Sequence, residues 1–179
     1  FSSPFLWVYV MNNTKPNLEI KADRVRLLNG KKIAIIATIW NEVYTSAMSK
    51  EALEIFSNHD FIDDDVDIFH VPGSFELPLV AKWLLMDAPD KKTNYAGVIC
   101  FGCVIRGGTP HFEYVSQAVT QGCTQVALET NKPVIFGVLT VDTEEQARVR
   151  VDGTEANKGA EAALTLMHML HLRANSVHA

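Results

Sequence analysis

Gly107, Gly108, Thr109, Pro110 and His111 follow one another directly behind a hydrophobic run, and their types in that order could bind an anion. The two glycines let backbone approach a ligand closely, Thr109 is a good N-cap, and Pro110 suits a first helical position. Free N–H groups and the positive end of a helix then point at one spot, where a phosphate fits. A tight turn made by Gly107 and Gly108 alone is the competing reading. No Gly-Lys-Ser/Thr follows, so this is no Walker loop, and the glycine spacing is not that of a dinucleotide fingerprint. His111 falls in the first turn of the coming helix, where the dipole favours the neutral imidazole and hence a base or proton shuttle. As a lone histidine it has an ordinary surface or capping role as its alternative.

Three further places combine strand ends with chemistry-bearing residues: Trp40-Asn41, Gly73-Ser74-Phe75-Glu76 and Thr140-Val141-Asp142. An indole at a strand end is either core or a stacking platform for a planar ring. Glu76, in the first turn of its helix, either complements the dipole or accepts hydrogen bonds from a hydroxylated ligand. Arg150 and Lys158 could clamp a phosphate, or be solvated charges.

The elements that must hold these residues are legible from periodicity. Lys32 to Trp40 is a continuous, β-branched run of the kind buried on both faces of a parallel sheet. A helix follows, with Asn41 placed as N-cap and Val43, Met48, Leu53, Ile55 and Phe56 supplying its apolar face. Val66 to Val71 is a second strand, stopped by Pro72-Gly73, and a short helix runs from Phe75 to Met86. A long strand from Tyr95 to Ile105 leads to a helix from Pro110 to Thr130. A fourth strand spans Pro133 to Val141, followed by short and long helices near 144–149 and 157–172. Strand and helix alternating four times predict an α/β fold: a flavodoxin-like, three-layer α/β/α sandwich on a four-stranded parallel sheet with right-handed crossovers. In such sheets ligands bind outside the carboxyl ends of the strands, where all four loops lie.

Composition excludes several classes. With 179 residues, 47% hydrophobic and 21% charged, the chain is one ordinary globular unit, divided here into an N-terminal extension at 1–30 and a single domain at 31–179. Residues 1–10 are apolar without a basic leader and read as non-native residues, a processed leader or an extra strand. A net charge of -5 without basic clusters argues against nucleic acid, and no apolar run nears the roughly 20 residues of a membrane span. Three cysteines make no disulfide framework and fit a reducing, cytoplasmic setting. Cys100 and Cys103 have redox spacing, but inside a strand, where they face opposite sides. Cys123 and distant histidines make no zinc set, and the Asp63–Asp67 run fails as a calcium loop because Phe69 and His70 stand where a ligand and a glycine belong. His168 and His171 share a helix face without a carboxylate partner and read as surface. No metal site is expected.

Four segments together resemble the lumazine synthase family: Val71-Pro72-Gly73-Ser74-Phe75-Glu76-Leu77-Pro78, the stretch Gly102 to Tyr114, Pro133 to Thr140, and Asn157-Lys158-Gly159. The match spans Lys31 to Leu172, with the motifs in the right order. The resemblance implies condensation of 5-amino-6-ribitylaminouracil with 3,4-dihydroxy-2-butanone 4-phosphate to 6,7-dimethyl-8-ribityllumazine, in riboflavin biosynthesis, with no cofactor. It implies that the pyrimidine stacks on Trp40, where the family commonly has phenylalanine. Asn41, Ser74, Phe75, Glu76, Cys103, Val104 and Ile105 would line the pyrimidine and ribityl chain. Gly108, Thr109 and Arg150 would hold the phosphate, and His111 would carry protons. Phe136, Arg150 and Lys158 would come from a neighbouring subunit of a homopentamer. Some members assemble twelve pentamers into an icosahedral shell, with riboflavin synthase as a prospective associate. Residues 150–155 depart from the family's usual glycine-rich, basic stretch. The alternatives are a non-catalytic flavin- or lumazine-binding or cage-forming protein on the same scaffold, and a flavodoxin-like binder, which the bulky Trp40-Asn41-Glu42 disfavours.

Overall fold

A computed structural model describes residues 23–86, 94–154 and 156–176; the readings made for residues 1–10 lie outside them. Four strands, β1 (Lys32–Thr38), β2 (Val66–Val71), β3 (Tyr95–Ile105) and β4 (Val134–Val141), form one sheet in the order β2-β1-β3-β4. Every pairing is parallel. Helices α1 (Arg24–Leu28), α2 (Glu42–Ser57), α3 (Leu77–Leu85), α4 (His111–Thr130), α5 (Glu144–Arg148) and α6 (Lys158–Ser176) complete the described chain. The expected three-layer α/β sandwich is what forms.

Strand periodicity divides the core in two, because successive side chains leave opposite faces. Ile33, Ile35 and Ala37 of β1 and Ile99, Phe101 and Cys103 of β3 pack with Met48, Ala52 and Phe56 of α2 and Leu166, Met167 and Leu170 of α6. On the other face Ala34, Ile36, Val98 and Cys100 meet Leu77, Ala81 and Leu85 of α3 and Val119, Cys123 and Val126 of α4. The first nine residues of β3 are all buried, as the continuous apolar sequence predicts for a strand covered on both sides. Cys100 and Cys103 indeed occupy separate cores, and all three thiols are free.

Several expectations shift in detail. β1 ends at Thr38, although the N–H groups of Ile39 and Trp40 still donate to the carbonyls of Val71 and Pro72 at 2.8 and 3.0 Å. The helix expected from Phe75 begins as a 3-10 turn at Ser74–Glu76, and α3 proper starts at Leu77 with Pro78 in its first turn, where a missing N–H costs nothing. Within the N-terminal extension, Asp23 caps α1 and buries Leu27 and Leu28 against the α2/α6 core. The Arg24 guanidinium also reaches Asp65 at 3.1 Å.

Close approaches set the layer spacing. A Cβ on Gly159 would lie 2.3 Å from the Met48 carbonyl oxygen and 2.8 Å from its Cα, so α6 crosses α2 at a point where a side chain has no room. Gly102 similarly lets Ser74 and Leu77 press on β3, since its Cβ would meet Ser74 Oγ at 2.5 Å. Gly159→Ala is therefore expected to lower stability by about 1–3 kcal/mol through overpacking against backbone. Chemical unfolding measures this directly, and an unchanged midpoint and slope would refute the close crossing.

Candidate functional site

The loops after β1, β2 and β3 converge at one end of the sheet because parallel strands all finish there. Three side-chain hydrogen bonds help to hold the β1–α2 turn. Thr38 Oγ1 donates to the Trp40 carbonyl at 2.9 Å, Thr45 Oγ1 donates to the Thr38 carbonyl at 2.7 Å, and Asn41 Nδ2 donates to the Cys103 carbonyl at 2.8 Å. Asn41 is thus not the side-chain N-cap expected of it. It takes the left-handed conformation, φ 59°, and spends its amide on the neighbouring strand. That bond uses one of the amide's two N–H groups and places Asn41 at the carboxyl end of β3.

The turn leaves the Trp40 side chain 74% exposed, beside the β2–α3 turn. A Cβ built on Gly73 would lie 3.3 Å from Glu76 Oε2 and 3.8 Å from Trp40 Cδ1, so the indole edge and the carboxylate flank the same glycine. The Gly73 N–H donates to Glu76 Oε2 at 3.0 Å, which fixes the carboxylate over the turn. Phe75 is 63% exposed next to it, whereas Ser74 is buried against β3. Val104 and Ile105 are half-buried at the strand end. The Cys103 thiol lies in the α2/α6 core, and its carbonyl at the strand end accepts from Asn41.

Gly107 to Pro110 are exposed, and α4 starts at His111 with Pro110 in the cap position, one residue later than expected. No side chain caps this helix, so Thr109 does not serve as N-cap. A helix start without a side-chain cap is the arrangement in which an anion can take the first N–H groups. His111 stands exposed in that first turn.

A cation that sequence reading left without a role sits beside this loop. The N–H of Arg106 donates to the Val141 carbonyl at 2.9 Å, its Nε pairs with Asp142 Oδ1 at 2.6 Å, its Nη1 pairs with Glu113, and its guanidinium lies 4.1 Å over the Phe112 ring. The bond to Asp142 raises the Arg106 pKa, and Arg106 in turn lowers that of Glu113. The signal in the sequence was the spacing Arg106–Glu113, seven residues apart across the helix start, with Asp142 at the end of the adjoining strand.

Phe136, Arg150 and Lys158 gather elsewhere. They line a groove of about 900 Å³ along β4, between α4 and α6, which also takes in Leu128, Ile135 and Met169. Phe136 is 42% exposed there. The Lys158 N–H donates to the Arg150 carbonyl at 3.0 Å, which pins the two ends of the loop between α5 and α6 together. Arg150 Nη1 donates to the Gln146 carbonyl at 2.7 Å, and Lys158 Nζ pairs with Glu161 at 2.6 Å. Gly153, at φ +84°, supplies the left-handed residue this loop needs. Trp40, Phe75, Glu76, Gly108, Thr109 and His111 are not part of the groove. Within one chain the expected site residues thus form two groups, one at the strand ends and one along the edge strand. Among the described residues no cluster of histidine, cysteine and carboxylate side chains could hold a metal, and no helix is long and apolar enough to cross a membrane.

The fold is that of a parallel α/β sandwich whose strand-end loops carry a helix start without a side-chain cap, the arrangement in which such sheets can receive a small anion. Its family is specific. The sequence model of the 6,7-dimethyl-8-ribityllumazine synthase family matches residues 30–174, and a 6,7-dimethyl-8-ribityllumazine synthase from Cytophaga hutchinsonii is 41% identical over 160 residues, covering 89% of this chain and 98% of that protein. The chain belongs to the 6,7-dimethyl-8-ribityllumazine synthase family.

Burial pushes the Cys103 thiol up to about 12 from an ordinary value near 9.0. A thiol attacks as the thiolate, so raising the pKa suppresses reaction, leaving on the order of one thiol in a thousand ionised at pH 9. Iodoacetamide at pH 8.5 should therefore leave Cys103 unmodified in the folded protein and modify it after unfolding. Mass spectrometry of the tryptic peptide reads the difference, and rapid native labelling would contradict the burial.

Proposed function

We propose that this chain is a transferase of riboflavin biosynthesis that condenses 5-amino-6-(D-ribitylamino)uracil with 3,4-dihydroxy-2-butanone 4-phosphate to 6,7-dimethyl-8-ribityllumazine, releasing phosphate and water. The observation that carries the reading, beside family membership, is the pairing of an anion-ready helix start at Gly108–His111 with Trp40 and Glu76 across the same sheet end. The pyrimidine stacks on Trp40, and Glu76 accepts from the ribityl hydroxyls, with Ser74, Phe75, Val104 and Ile105 around it. The phosphate rests on the backbone of Gly108 and Thr109 at the α4 start and on Arg150.

The pyrimidine supplies the nucleophile. Its amine attacks the ketone carbon, a first water leaves as the imine forms, phosphate leaves by elimination to give a carbonyl at the adjacent carbon, and the ribitylamino nitrogen attacks that carbon and expels a second water as the ring closes. His111 moves protons through these steps, and holding two reactants together supplies much of the rate. Lys158 contributes charge and contact rather than a Schiff base.

Phe136, Arg150 and Lys158 line the groove along the edge strand rather than the strand-end group, which supports a site completed by a second copy. We infer self-association as a homopentamer with sites between neighbours, able to extend to a twelve-pentamer shell with riboflavin synthase as an associate. We place the protein in the cytoplasm, in keeping with three free thiols, and take residues 31–179 as its one domain.

Purified protein mixed with both substrates should accelerate lumazine formation, followed by absorbance or fluorescence, over the uncatalysed background. Its absence from a correctly assembled oligomer would favour a binding or cage protein on this scaffold. His111→Ala should cut turnover about 100-fold while leaving assembly intact, the usual scale of a lost proton carrier; unchanged turnover would remove His111 from the mechanism. Arg150→Ala should chiefly raise the KM for the butanone phosphate, and an unaltered KM would move the phosphate site elsewhere.

A further inference from the structure

The geometry points to Arg106 as a positioning residue for the anionic substrate: it offsets the carboxylates of Glu113 and Asp142 on either side of the loop 107–110 and braces the start of α4 against the end of β4. This rests on the proposed phosphate site at Gly108 and Thr109.

Glu113 stands in the first turn of α4, the turn whose N–H groups face the anion, and Asp142 directly follows β4, whose Val141 pairs with Ile105 at the end of β3. Both elements flank the loop, and each carries a negative charge toward a place that must receive another. Arg106 meets both. Its Nε holds Asp142 Oδ1 at 2.6 Å, its Nη1 holds Glu113, and its guanidinium stacks 4.1 Å above Phe112, the residue between His111 and Glu113. The planar fork reaches two carboxylates and a ring face at once, which an ammonium cannot do. Isolated surface ion pairs contribute little, but a cation shared by two anions beside a third changes the field that the third one meets. The stack on Phe112 also ties the side chain to the turn that carries His111.

The test reads kinetics and charge separately. Arg106→Gln should raise the KM for the butanone phosphate, and the Ki of inorganic phosphate, about fivefold, while changing the KM for the ribitylaminouracil less than twofold. Adding Glu113→Gln and Asp142→Asn to that variant should return most of the loss, which a merely structural role would not predict. Arg106→Lys should recover only part. Equal changes in both KM values, or no rescue by the neutral pair, would overturn the inference. Should Arg106→Gln fail to fold, Glu113→Gln with Asp142→Asn in the otherwise native chain decides: the freed guanidinium should lower the KM for the anion several-fold, and an unchanged value would overturn it. Loss of the phosphate-site reading has a different signature, an Arg150→Ala variant with unaltered anion KM.

Discussion

Burial of β3 on both faces is the constraint on which the other elements depend. Nine residues in succession without solvent exposure require helices above and below, and a parallel sheet supplies them through its crossovers. Once β3 is central, β1 and β4 must flank it and β2 must take the outer edge beyond β1. The carboxyl ends of the strands then collect at one rim. The bond from Asn41 to the Cys103 carbonyl finishes the process by tying the first loop to the central strand at its last buried residue. Trp40, Glu76 and the Gly107–His111 loop are held near one another by this hierarchy and not by direct bonds among themselves.

Strand positions were legible because a doubly buried strand leaves a continuous apolar run, and the bounds of β2 and β3 were readable to the residue. Helix starts were less so. Asn41 has the composition of a cap, but a competing acceptor, the Cys103 carbonyl, lies 62 residues away in sequence and captures its amide. Thr109 was misread for the related reason that a cap is defined by local dihedral angles, and Pro110 delays the helix by one residue. Strand alternation put the Cys103 thiol on the opposite face from Cys100, and the two lie in separate cores. The residues of the site were therefore readable as types, whereas setting Phe136, Arg150 and Lys158 apart from the strand-end residues came from the family resemblance, because position along a sheet follows from strand order.

Charge at the rim is arranged in layers. The helix start and the glycine backbone offer partial positive charge that no titration removes. Around them Arg106 with Glu113 and Asp142, and Arg148 with Glu145 and Asp152, form small closed networks in which each cation faces two carboxylates. Other acidic groups lie far from the rim, as with Asp64 and Asp67 around Lys32 at the opposite end of the sheet.

The crossing of α2 and α6 at Gly159 leaves no room for a side chain. The Met48 backbone occupies most of the space a side chain would need, so a smaller residue at position 48 would not relieve the crowding. The neighbouring codon inherits the restriction: Lys158 begins the same helix, so the height at which its ammonium meets the groove is set by how closely two helices pass. A residue with no side chain thereby fixes where a charged one stands.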